Sequence, residues 1–225
     1  MINLQHVFKE YPRTGPVLQD VSFELLKGEF CFLTGHSGAG KSTLMKLIHM
    51  GDTPTRGEVR VSGYNSARIK PREISMLRRK IGYVFQDFKL LQNRTAAQNI
   101  AFALEVTGAR PAVTRTKTGR LLAQVGLASK AEALPSELSG GEQQRIAIAR
   151  SLAHDPLVLL ADEPTGNLDE RATTGIFDLI RTINASGTAV LFATHDLELV
   201  RRNPGIRVIE LDHGSIVYDS AEART

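Results

Sequence analysis

A single cysteine among 225 residues, Cys31, leaves nothing to pair with and so excludes a disulfide-stapled fold. Its setting, Phe30-Cys31-Phe32-Leu33, is that of a small core residue and not of an exposed nucleophile, and a reducing compartment fits. No apolar run approaches the 18 or so residues of a membrane span: the greasiest, Leu157 to Ala161 and Ala189 to Ala193, are soon broken by charged or polar residues. The first residues, Met1-Ile2-Asn3-Leu4-Gln5-His6, lack the basic and apolar regions of a secretion signal, so the expectation is a protein of the cytoplasm. Nor is there an excess of charge of one sign. With 28 Lys+Arg against 24 Asp+Glu, the net +4 is too weak for a nucleic-acid footprint, and the densest clusters, Arg78-Arg79-Lys80 and Arg201-Arg202, read as solvated faces, the alternative being attraction to an anionic membrane surface. What remains, 42% apolar and 23% charged, is an ordinary globular composition with length for one domain.

Alternating apolar and polar residues predict strands at Asn3 to Phe8, Leu18 to Leu25 and Glu58 to Val61, an N-terminal β layer. Further strands are expected at Glu29 to Thr34, Ile81 to Phe85, Leu157 to Ala161, Ala189 to Thr194 and Ile206 to Leu211. Leu44, Leu47 and Ile48 recur at helical spacing, as do Ile176, Leu179, Ile180 and Ile183, and Asp212-His213-Gly214 reads as a hairpin turn. Strands alternating with helices predict an α/β fold with a mainly parallel, helix-covered sheet. Helices expected over Thr95 to Thr107, Arg115 to Val125 and Gly141 to Leu152 make residues 88–152 an inserted helical lobe. The domain organisation is thus a single domain, 1–225, with a core of 1–87 and 153–225.

Between a predicted strand and a predicted helix lies Gly35-His36-Ser37-Gly38-Ala39-Gly40-Lys41-Ser42, a complete G-x-x-x-x-G-K-[ST] phosphate loop. Its glycines let backbone N–H groups and the helix N-terminus face a polyphosphate. Lys41 is placed to reach the β and γ phosphates, and Ser42 to ligate Mg²⁺. Leu157 to Ala161 ends in Asp162-Glu163, two acids at the carboxyl edge of the sheet, where parallel sheets bind ligands. Asp162 is expected to hold the Mg²⁺ and Glu163 to polarise the attacking water. A triphosphate-binding enzyme follows from these two motifs.

Leu138-Ser139-Gly140-Gly141-Glu142-Gln143-Gln144, at the start of a predicted helix, resembles the signature of the ATP-binding cassette (ABC) ATPases. Gln86 matches that family's Q-loop, Gly166-Asn167-Leu168-Asp169 its D-loop, and His195 its switch histidine. The resemblance implies a P-loop ABC ATPase fold and ATP hydrolysis with Mg²⁺ held by Ser42, Gln86 and Asp162. It also implies a homodimer formed on ATP binding, with Ser139, Gly140, Gly141 and Asp169 completing the partner's site. Tyr11 looks like the aromatic that stacks on adenine, and Thr43 completes the nucleotide-contacting set of residues 35–43. Glu163, His195, Gln86 and Lys41 take the catalytic roles.

The wording from Phe32 to Leu44, with His36 after the first glycine, and that from Val84 to Leu91 resemble the bacterial cell-division branch of the family. That branch implies a peripheral ATPase on the cytoplasmic face of the plasma membrane, at the septum. Its partner there is a polytopic division protein, expected to dock near residues 87–99. The alternatives are a lipoprotein-release, macrolide or amino-acid transporter subunit, or a soluble cassette ATPase.

Overall fold

A computed structural model describes residues 1–221. Its first layer is a four-stranded antiparallel sheet containing β1 (Ile2–Tyr11), β2 (Gly15–Leu25) and β4 (Arg56–Val61), with β1 between the other two and the two-residue β5 (Tyr64–Asn65) at its edge. The second sheet runs β10 (Ser215–Asp219), β9 (Arg207–Asp212), β3 (Phe30–Thr34), β8 (Ala189–Ala193), β7 (Val158–Asp162), β6 (Ile81–Val84). All its pairings are parallel except that of β9 with β10, which a hairpin joins. The expected α/β architecture, a mainly parallel core beside an N-terminal antiparallel layer, is the one observed.

Successive residues of a strand face opposite sides of its sheet, and β3 shows both. Phe30 and Phe32 enter one core with Phe177 and Phe192, where ring centroids lie 5.5 to 6.1 Å apart. Cys31 and Leu33 point the other way, into a second core lined by Leu44, Leu47 and Ile48 of α1 (Lys41–Ile48) and by the antiparallel layer. Cys31 is fully buried and burial pushes its thiol up, which agrees with a core residue and not a nucleophile. Between β6 and β7 the chain forms α3 (Ala96–Glu105), α4 (Pro111–Gln124) and α5 (Gly140–Ser151), packed on one another and on the phenylalanine-rich core. Among the described residues no helix is long and apolar enough to cross a membrane.

Three local expectations change. The helix expected from Arg115 begins at Pro111, because proline, lacking an N–H, suits the first helical turn. A helix with no expectation, α2 (Pro71–Arg79), shows the same proline start and a Glu73 carboxylate that accepts from the Lys70 N–H at 2.8 Å. On that helix Arg78 is not a solvated charge: it donates to the carbonyls of His49 and Met50 at 3.3 and 2.9 Å, closing the C-terminal end of α1.

Candidate active site

Four neighbouring strands of the parallel sheet deliver the site at their carboxyl ends. β3 leads into the phosphate loop, β8 into His195, β7 into Asp162 and Glu163, and β6 into Gln86. Residues far apart in the chain thereby line one cleft of about 760 Å³: His36, Ser37, Gly38, Gly40, Lys41, Ser42, Thr43, Gln86, Glu163 and His195, with Val17.

Two loop glycines are required by close approach. A Cβ on Gly35 would lie 2.1 Å from the Leu211 carbonyl oxygen, and one on Gly40, at φ 109°, would lie 2.8 Å from Leu18. Lys41, 5% exposed, donates from Nζ to the carbonyls of Gly35 and His36 at 2.7 and 3.1 Å and pairs with Glu163 Oε1 at 3.4 Å. The other Glu163 oxygen, Oε2, lies 2.8 Å from His195 Nδ1. Glu163 holds this position from the left-handed region, φ 48°, which costs a non-glycine residue energy and is concentrated at functional sites. Its N–H donates to Ala193 O at 3.0 Å and its carbonyl accepts from Gly166 N–H at 3.1 Å, so both neighbouring loops fix the turn.

Asp162 accepts from Ser42 Oγ at 3.1 Å and from the Tyr83 hydroxyl at 3.1 Å. Burial raises its carboxyl above the ordinary aspartate range, a rise opposed by the Ser42 and Tyr83 hydrogen bonds. Burial, with Asp162's charge beside it, likewise raises the Tyr83 phenol. A half-buried carboxylate paired with a serine hydroxyl at the first turn of the phosphate-loop helix is a hard oxygen donor set, and it fits Mg²⁺. Gln86 reaches the same cleft; its side-chain amide sits so near Gly166 that a Cβ there would lie 2.9 Å from Gln86 Nε2.

Other residues lie outside that cleft. Tyr11 is half-buried, its hydroxyl donates to Asp52 Oδ2 at 2.8 Å, and the Lys9 ammonium lies 4.7 Å from its ring centroid. Ser139 is the N-cap of α5: its Oγ accepts from Glu142 N–H at 3.3 Å while Glu142 Oε2 accepts from Ser139 N–H at 2.9 Å. Glu142 is thus the return arm of a capping box. Gly140 and Gly141 follow at the helix start, close against Leu168 and Ala172. Asp169 caps α6 (Glu170–Ala185), accepting from Ala172 N–H at 2.8 Å. None of Ser139, Gly140, Gly141 or Asp169 lines the cleft around Lys41 of the same chain.

Two residues at the site carry no role in the expectations drawn from the sequence. Tyr83 is a lone polar tip in an apolar strand, a visible signal, but its target depended on β6 lying next to β7. Gln144, fully buried, donates to Pro164 O at 2.7 Å and to Phe85 O at 3.5 Å, joining the signature helix to the segments that carry Glu163 and Gln86.

The chain is similar to known proteins over nearly its whole length. A family profile described as ABC transporter matches residues 18–166. The cell division ATP-binding protein FtsE of Mycobacterium tuberculosis is 51% identical over 97% of this chain and 95% of its own, and that of Bacillus subtilis 45% identical over 98% and 96%. Among solved structures, the dimeric post-hydrolysis state of the ATP-binding cassette MJ0796, bound to ADP and Pi, superposes with a TM-score of 0.86 at 34% identity, covering 97% of both chains. With the phosphate loop, the acid pair and His195 gathered at one sheet edge and this family profile spanning the first two of them, the chain belongs to the ABC transporter family, as its ATP-hydrolysing cassette.

Proposed function

We propose that this chain is the ATPase subunit of a cell-division complex in which two copies enclose ATP and drive a polytopic, FtsX-like membrane partner. The observation that carries the chemistry is the contact set Lys41, Glu163 and His195, with one carboxylate bridging the phosphate-loop lysine and the histidine. The cell-division assignment is supported by the full-length likeness to proteins named FtsE.

In this reading Lys41 exchanges loop carbonyls for the β and γ phosphates, while the N–H groups of residues 35–43 surround the phosphate chain and Tyr11 meets the adenine. Ser42, Asp162 and Gln86 hold Mg²⁺, which when bound neutralises phosphate charge. Glu163 accepts the proton of the attacking water, and His195 holds its carboxylate in place from Nδ1. Residues 1–87 and 153–225 act as the nucleotide-binding core, and 88–152 as a helical subdomain carrying the signature.

Because Ser139, Gly140, Gly141 and Asp169 lie outside the cleft of their own chain, a second chain supplies them. The dimeric cassette structures among the relatives support this arrangement. Mixing Ser139→Arg chains with Lys41→Ala chains is therefore expected to rebuild one intact site in two and to restore ATPase activity that neither variant has alone. A mixture as inactive as its components, with mixed dimers demonstrated by differential tagging, overturns the shared site.

The membrane partner docks near residues 87–99. Phe88 and Lys89 both adopt positive φ, 57° and 51°, and Arg150 clamps their carbonyls at 2.9 and 2.7 Å. Asn99, fully buried, receives Leu91 N–H at 2.8 Å and returns a hydrogen bond to Leu91 O at 3.1 Å. Leu90 is core, whereas Phe88 and Leu91 stay half-buried on this rigid segment beside Gln86. Leu91→Asp is expected to reduce recruitment to the cytoplasmic membrane face and the septum several-fold while ATP binding by the isolated chain stays near wild type. Fluorescence localisation and nucleotide titration measure the two; full recruitment with lost nucleotide binding makes the segment structural.

A further inference from the structure

The β9–β10 hairpin sits directly on the phosphate loop: the Gly214 N–H donates to Ala39 O at 3.1 Å, and Leu211 O is the atom that Gly35 leaves room for. At this junction three side chains converge that the ATPase chemistry above does not use together. His36 Nε2 lies 3.1 Å from Asp212 Oδ1, His213 Nε2 lies 3.9 Å from the same oxygen, and the two imidazole centroids are 5.1 Å apart. One ligand atom from each of the three falls within 4.8 Å of the others.

The hydrogen bonding of His36 makes this more than proximity. Its Nδ1 lies 2.6 Å from the Ser37 carbonyl oxygen, an acceptor only, so Nδ1 carries the hydrogen. In a neutral ring Nε2 is then a lone pair, and it faces a carboxylate oxygen. Two acceptors at 3.1 Å call for a cation between them, either a proton or a metal. A proton would need only the pair; the convergence of a second imidazole on the same oxygen favours a metal. A backbone carbonyl fixing the far nitrogen is also the usual support of a metal-bound histidine. His213 reaches the site from φ 44° at the first central position of a two-residue turn whose second is Gly214 at φ 81°. Asn is the favoured residue there, so the turn itself does not call for histidine.

We propose that His36, Asp212 and His213 form a three-ligand Zn²⁺ site that ties the phosphate loop to the β9–β10 hairpin, separate from the Mg²⁺ site at Ser42 and Asp162. Two imidazoles and one carboxylate suit Zn²⁺ and leave a fourth position for water, whereas Mg²⁺ prefers an all-oxygen set. Metal–ligand bonds of about 2.0–2.1 Å place tetrahedral ligand atoms roughly 3.3 Å apart. The His36–Asp212 pair already meets that spacing, and His213, with a side chain 85% exposed, is free to turn inward.

The test is a Zn²⁺ titration of the purified chain, without nucleotide, in competition with a chromogenic chelator. One Zn²⁺ per chain is expected, resistant to excess Mg²⁺. His213→Asn, which keeps the turn, and Asp212→Asn should each weaken binding at least ten-fold while leaving the metal-free melting temperature near wild type. In the unmutated protein Zn²⁺ should shift the imidazole NMR signals of His36 and His213 and leave those of His49 and His154 in place. Failure to take Zn²⁺ from the chelator, undiminished binding by both variants, or NMR shifts confined to other histidines overturns the site.

Discussion

Glu163→Gln is expected to bind ATP as the wild type does and to lose turnover by about 10²-fold or more, the scale on which removing a proton-accepting group acts. The substitution keeps the side chain's shape, so the strained φ of 48° and the contacts of its backbone with Ala193 and Gly166 survive. What goes is the carboxylate that lies between Lys41 Nζ and His195 Nδ1. Lys41→Ala separates binding from chemistry: it removes the buried ammonium itself, and ATP binding is expected to be lost. Single-turnover hydrolysis beside a fluorescent-nucleotide titration reads both effects. Near-wild-type hydrolysis by Glu163→Gln removes Glu163 from the role of base.

Arg207→Ala should strongly destabilise the fold although it lies away from the cleft. The guanidinium grips Asp219 through two nitrogens, Nε to Oδ1 at 2.9 Å and Nη2 to Oδ2 at 2.6 Å, and its Nη1 reaches Glu29 Oε1 at 3.0 Å and Glu24 O at 2.7 Å. All three charged side chains are at most 20% exposed. Removing the cation leaves two carboxylates uncompensated, which costs about 3–5 kcal/mol and, in a domain of this size, lowers Tm by on the order of 10 °C. The pH dependence has a definite sign. In the wild type, burial raises the Asp219 carboxyl but its hydrogen bonds to Arg207 and Ala221 outweigh that and hold it below the ordinary value of 3.8. Its stabilising contribution is therefore complete above that value and is lost as pH falls through the lower, folded one. In the variant burial acts without the guanidinium, the folded carboxyl rises, and acidification favours the fold. Denaturant unfolding at neutral pH and near pH 4 should show the gap between the two proteins narrowing as pH falls. An unchanged gap, or a cost under about 1 kcal/mol, places this cluster in the weak class of surface pairs.

The chemistry was legible because its signals are local. A phosphate loop needs its glycines and Lys41 within eight residues, and the acids need only follow an apolar strand, so both stand in the sequence as contiguous patterns. Glu142 in the signature is equally local, since an N-cap and its return arm are three residues apart. Local patterns gave less where the pattern was misweighted. The helix expected from Arg115 leaves out the proline that opens α4, no helix is expected at the proline that opens α2, and Arg78 reads as a solvated charge because its acceptors, the carbonyls at 49 and 50, lie just past the end of another helix.

By itself the sequence determined most element types and the phosphate-loop pattern of an ATPase, because hydrophobic period and motif spacing depend on neighbours along the chain. Tertiary structure alone decided the strand order β9, β3, β8, β7, β6, and with it every contact between separate motifs. That order lets the Tyr83 hydroxyl reach Asp162, sets His195 against Glu163, and brings His36 to Asp212 and His213. The physical reason is that each parallel strand is internally apolar and can pair with several others. The choice among them rests on how the covering helices and the two faces of β3 pack together, a property of the folded whole and not of any one segment.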